Sequence, residues 1–157
     1  MKQFIHIISA HQSIIYKVAR IYRDTPEDRE DLFQEIVYQL WKAYPAYQKK
    51  AKVTTWMYRI ALNTAIAKYR KKQIVTDSAL PDQWVNEPSE HPERERLHRA
   101  ISTLNEADKA VIMLYLDDYR YEEIADILGI TTSHVGVKLH RIKEKLIHLL
   151  NPRNYDT

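Results

Sequence analysis

The apolar residues of the first 23 positions return at spacings of three, four and seven: Phe4, Ile8, Ile15, Val18 and Tyr22, flanked by Ile5, Ile14 and Ile21. That period puts them on one stripe and predicts an amphipathic helix over residues 2–23. Thr25-Pro26-Glu27-Asp28 restarts the chain. Threonine suits the N-cap, proline the first helical position, and the acids the positive end of the helix dipole. The second helix carries Leu32, Phe33, Ile36, Val37, Leu40 and Trp41 inward and shows Glu30, Asp31, Gln34, Glu35 and Gln39 outward. Pro45 ends or kinks it. After a short basic connection over 45–53, two threonines open a third helix, Val53 to Lys72, which contains no Gly or Pro. At 100° per residue, Met57, Ile60, Ala61 and Thr64 face a core, while Arg59, Asn63 and Arg70 form a separate stripe.

The pattern breaks over residues 73–95, which hold Pro81, Pro88, Pro92 and six acids and few large apolar groups. This segment reads as a linker, extended or partly disordered. A second helical domain follows, beginning near Pro92. Leu97, Ala100, Ile101 and Leu104 predict one helix; Asn105-Glu106-Ala107-Asp108 caps the next, with Val111, Ile112, Leu114, Tyr115 and Leu116 inward. Asp117-Asp118-Tyr119 is a turn. A short helix with Ile124, Ala125 and Leu128 then meets Gly129, where a tight turn needs positive φ. Ile130 plugs the turn, and Thr131 caps a last helix with Val135, Leu139 and Ile142 inward. This is the spacing of a helix-turn-helix, whose second helix enters the DNA major groove. That helix presents Thr132, Ser133, His134, Lys138, Arg141 and Lys145 outward. Gly136 in its interior costs about 1 kcal/mol relative to Ala. It either admits a DNA backbone closely or is merely tolerated.

The fold class is therefore all-α: two small helical domains, residues 1–72 and 96–157, joined by an acidic linker over 73–95. Charge sharpens the division. The net values are +8 for 1–72, −5 for 73–95 and zero for 96–157. No acid occurs from Ile36 to Thr76, while nine Lys or Arg lie between Lys42 and Lys72, interleaved with Trp41, Tyr44, Tyr47, Trp56, Tyr58 and Tyr69. Cations for phosphates beside rings for unpaired bases make a surface for single-stranded nucleic acid. The bland alternative is a core helix with a solvated basic face.

Other classes find less support. The chain has no cysteine, and its seven histidines fall in no metal-ligand spacing, so neither disulfide nor metal nor other cofactor is expected. No glycine-rich phosphate loop or activated nucleophile is visible, so no enzyme is expected. The N-terminus lacks the apolar core and cleavage site of a signal peptide, and no apolar run approaches the roughly 20 residues of a membrane span.

Taken together, the two halves resemble the extracytoplasmic-function sigma factors, small members of the sigma-70 family of bacterial RNA polymerase. Asp31-Leu32-Phe33-Gln34-Glu35 resembles the DLxQE of the family's region 2.2. Thr55-Trp56-Met57-Tyr58-Arg59-Ile60-Ala61-Leu62-Asn63 resembles the TWLYRIAxN of regions 2.3 and 2.4, and Tyr69-Arg70-Lys71-Lys72 closes the helix as the family does. Tyr121 to Ile130, YEEIADILGI, resembles region 4.2. The resemblance implies that Asp31, Gln34 and Glu35 dock on the β′ clamp helices of core polymerase. It implies that Trp56, Arg59, Asn63, Arg70 and Lys71 recognise and open the −10 element, with Lys49, Lys50 and Lys52 guiding the strand. It implies that region 4 meets the β flap and reads the −35 element through Thr132, Ser133, His134, Lys138, Arg141 and Lys145. The implied partners are core RNA polymerase, promoter DNA and an anti-sigma factor, with no small-molecule substrate. The implied location is the bacterial cytoplasm, with membrane tethering through an anti-sigma factor. The chain departs from the family at Val53, where Phe is usual, at Ala67, where Asp is usual, and at Gly136, where Lys is common. The rival reading is a stand-alone helix-turn-helix regulator whose first domain binds a ligand or partner. It predicts tight duplex binding without polymerase.

Overall fold

The computed structural model describes residues 1–75 and 91–151. Within them lie seven α-helices and one 3₁₀ turn: α1 Lys2–Tyr22, α2 Pro26–Ala43, the turn Tyr44–Ala46, α3 Val53–Val75, α4 Pro92–Ser102, α5 Glu106–Leu116, α6 Tyr121–Leu128 and α7 Thr132–Leu150. The chain separates into two compact units, Met1–Asp82 and Gln83–Thr157. Helix α3 reaches three residues, and α4 four, into the segment read as linker. The middle of that segment, with Pro81 and Pro88, lies outside the described residues.

In the first unit α1, α2 and α3 each pack on the other two. The expected start of α2 is present: the Thr25 hydroxyl accepts from the Asp28 amide at 3.1 Å, with Pro26 next. Ile15, Val18, Leu32, Ile36, Leu40, Met57, Tyr58 and Leu62 form a core closed to water. Helix α1 is kinked at His11, whose φ of −123° departs from helical values. Arg23 is buried at the end of α1, its Nη1 donating to the Tyr22 carbonyl at 2.9 Å, while Arg29 Nε donates to the Arg23 carbonyl at 2.9 Å. Burial lowers the Arg23 guanidinium pKa from its ordinary value, against the pull of Asp28 and Asp24.

Trp41 departs from the expected pattern. It is 42% exposed rather than inward, its ring meeting Phe4 edge-on at 5.2 Å. Five residues after Ile36, it stands about 140° round the helix from the centre of the buried stripe. Leu116 is likewise 51% exposed, because it is the last residue of α5, beyond the packed turns.

In the second unit α7 packs on α4, α5 and α6. Leu114, Ile124, Val135, Leu139 and Ile142 are its buried centre. Asn105 caps α5 by accepting from the Asp108 amide at 2.8 Å. Among the described residues, no helix is long and apolar enough to cross a membrane.

Candidate nucleic-acid interfaces

Two surfaces, one in each unit, gather the residues expected to meet DNA. The first is built on the loop between the 3₁₀ turn and α3. Tyr47 staples this loop. Its hydroxyl donates to the Ala51 carbonyl at 2.6 Å, and its ring stacks on Trp56 at 4.6 Å and 23°. Tyr44 lies 6.3 Å from the same indole. Lys49 takes a left-handed backbone, φ 58°, which L side chains occupy at a cost. Lys49, Lys50 and Lys52 are exposed.

Beyond the loop, Asn63, Arg70 and Lys71 are exposed on α3, and Arg59 is half-buried. The opposite side of the helix is core, with Met57, Tyr58, Ala61 and Ala65 fully buried. Of the interleaved aromatics, Tyr58 belongs wholly to that core, and Trp56 is only 8% exposed beneath Tyr47. The rings that reach water here are the half-buried Tyr44, Tyr47 and Tyr69 and the exposed Trp41. On α2, Asp31 and Gln34 are exposed, and Glu35 is half-buried and accepts from Gln39 at 3.1 Å.

The second surface is the helix-turn-helix. Gly129 takes φ +69°, and the Ile130 amide returns to the Ala125 carbonyl at 3.1 Å, closing the turn. Thr131 then caps α7, its hydroxyl accepting from the His134 amide at 3.1 Å. This leaves Thr132, Ser133 and His134 exposed on the first turn of α7. Arg141 and Lys145 are exposed further along, and His140 pairs with Glu144 at 3.2 Å. Lys138 turns the other way: its ammonium donates to Asp108 of α5 at 3.2 Å. Lys143 donates to the Tyr115 hydroxyl at 3.1 Å, and that bond raises its pKa. A methyl placed on Gly136 would meet only the Tyr121 ring, at 3.8 Å, an ordinary contact.

Sequence reasoning missed the Tyr47 staple, the left-handed Lys49 and the Asp108 partner of Lys138. The first two turn on backbone geometry in an irregular loop. The third joins residues 30 apart in the chain, which no local spacing reveals.

The Sigma-70 region 2 family matches residues 7–74, and the Sigma-70 region 4 family matches residues 94–146. Along its whole length the chain is 24% identical to the ECF RNA polymerase sigma factor SigE of Mycolicibacterium smegmatis, and spans 65% of that relative. The chain belongs to the extracytoplasmic-function sigma factors. This sigma factor is also 27% identical to RNA polymerase sigma factor SigV of Bacillus subtilis, over 85% of the chain and 82% of the relative. Its fold matches that of the sigma factor RpoE, solved with the anti-sigma factor NepR from Bartonella quintana, at a TM-score of 0.80 over the full length of both chains and 19% identity. It also matches CnrH, solved with the cytosolic domain of CnrY, at 0.72 over 97% of this chain and 90% of that one, with 20% identity. The region 2 match covers the domain that the rival reading gave to a ligand or partner, so a stand-alone regulator is not favoured.

Proposed function

We propose that this sigma factor binds core RNA polymerase and directs promoter-specific initiation, with α2 docking on the polymerase, α3 and its loop opening the −10 element, and α6–α7 reading the −35 element. The observation that carries this is the pairing, in one chain, of an acid-free basic face on α3 with a capped recognition helix on a separate unit. The polar side chains of Asp31, Gln34 and Glu35 meet the β′ clamp helices. Lys49, Lys50, Lys52, Arg70 and Lys71 hold the phosphates of the separated strand, and Arg59 and Asn63 approach its bases. Trp56, under Tyr47, holds the loop in shape and lies beneath the same strand. In the groove, Thr132, Ser133, His134 and Arg141 meet base edges, and Lys145 meets the backbone.

The sigma factor itself catalyses no reaction in this scheme. Unstacking bases at −10 costs a few kcal/mol, which contacts spread over two promoter elements and the polymerase offset. It works in the cytoplasm. An anti-sigma factor that covers these surfaces would keep it silent, as partners are bound to the structurally similar RpoE and CnrH.

The test is to mix the full chain with bacterial core RNA polymerase and follow co-elution and run-off transcription on a genomic promoter library. Co-elution with new start sites is the expected result. Tight duplex binding by the chain alone, with no association with core, would overturn the proposal in favour of a stand-alone regulator. On the mapped promoters, Arg141→Ala should weaken −35 use by about 1–3 kcal/mol, the worth of one base contact.

A further inference from the structure

Lys138 is set apart from Arg141 and Lys145, the exposed cations of α7. It follows buried Val135 by three positions and precedes buried Ile142 by four, so it leaves the helix beside the packed stripe. Its pair with Asp108 is largely withdrawn from water, the two side chains being 23% and 11% exposed. Asp108 is itself held. It stands in the first turn of α5, its amide bound to the Asn105 cap at 2.8 Å and its carboxylate at the positive end of that helix. Pulling such a pair apart strands a charge in a poorly hydrated place, so each partner keeps the other in position.

Between α5 and α7 there is a second polar tie, Lys143 to the Tyr115 hydroxyl at 3.1 Å, beside apolar contact, which is non-directional. The packing of α7 on α4, α5 and α6 presses it into the domain, and the polar ties to α5 sharpen how far it is turned about its own axis. Of the two ties, the Lys138–Asp108 contact is the ion pair, set to one side of the packed stripe. The exposed Thr132, Ser133, His134 and Arg141 need their aim held within about 10–20° if they are to meet base edges.

We propose that Asp108 is a positioning residue for promoter reading: through Lys138 it helps to fix the rotation of α7, and Lys138 is committed inside the domain rather than to a DNA phosphate. The proposal rests on α7 being the −35 reader.

The two roles of Lys138 predict opposite signs. Holoenzyme assembled from the full chain and core RNA polymerase is titrated onto a mapped promoter at several salt concentrations, with Asp108→Asn, Lys138→Met, both together, and Lys138→Arg. A positioning pair predicts that each neutral variant weakens binding on the order of tenfold, and that the double variant is no weaker than either single one. Lys138→Arg should restore most of the loss. Selectivity for an intact over a scrambled −35 element should fall, while the dependence of log affinity on log salt keeps the wild-type slope. If Lys138 instead held a phosphate, Lys138→Met would flatten that slope by about 0.9, and Asp108→Asn would tighten binding by freeing the amine. Either result overturns the proposal. Circular dichroism checks that each variant is folded. Should Asp108→Asn not fold, Asp108→Glu keeps the charge and changes the reach: lower −35 selectivity at unchanged slope supports positioning, and unchanged selectivity overturns it. A wild-type chain that does not bind core polymerase would fail before any variant is made, and that outcome overturns the sigma reading itself.

Discussion

Gly136 sits five residues into α7, where a glycine has no evident structural duty. Its backbone is helical, and the atom outside the helix that comes nearest a methyl placed there is the Tyr121 Cε2, at 3.8 Å. Gly136→Ala therefore meets no clash and removes the conformational freedom that glycine loses on entering a helix. The gain is about 1 kcal/mol. The second unit spans Gln83–Thr157, and in a domain of that size 1 kcal/mol raises Tm by about 4–8 °C. Thermal unfolding followed by circular dichroism reads this directly, on the transition that Gly136→Ala shifts. A Tm that stays put or falls would refute the reasoning, because it would mean that the helix there is strained or that Tyr121 cannot accept the methyl. The same variant separates the two roles open to this glycine. If it admits a DNA backbone, Gly136→Ala raises Tm and weakens −35 binding together; if it is merely tolerated, only Tm moves.

Lys49→Gly should stabilise the first unit by about 1 kcal/mol, since its left-handed backbone costs a lysine but not a glycine; a lower denaturant midpoint would contradict this. The same change removes one cation, so any effect on promoter opening should appear as a shallower salt dependence. Trp56→Ala should cost about 3–5 kcal/mol, because it empties a buried site beneath Tyr47 and Tyr44. Its co-elution with core polymerase should fail along with its fold. Trp56→Phe should keep the stack and the co-elution, so a loss of strand opening in that variant alone would report contact between the indole and DNA.

Several elements are fully legible in the chain because their causes are local. Thr25, Asn105 and Thr131 each cap the helix they precede through a side chain three residues from its partner amide. Gly129 takes the positive φ that the helix-turn-helix spacing requires. The helices, their order and the acid-free basic stretch of α3 follow from period and composition alone, and with the motif blocks of the two halves they lead to the family. What tertiary structure decided is which of several outward-capable side chains are free. Leu116 is apolar yet exposed, Trp56 is covered by a loop residue nine positions earlier, and Lys138 is claimed by a carboxylate 30 residues away. A wheel assigns each residue a direction from its own helix axis, but the neighbour it meets is set by how separate helices and loops pack. That information is carried jointly by residues distant in the chain, so no single stretch of sequence contains it.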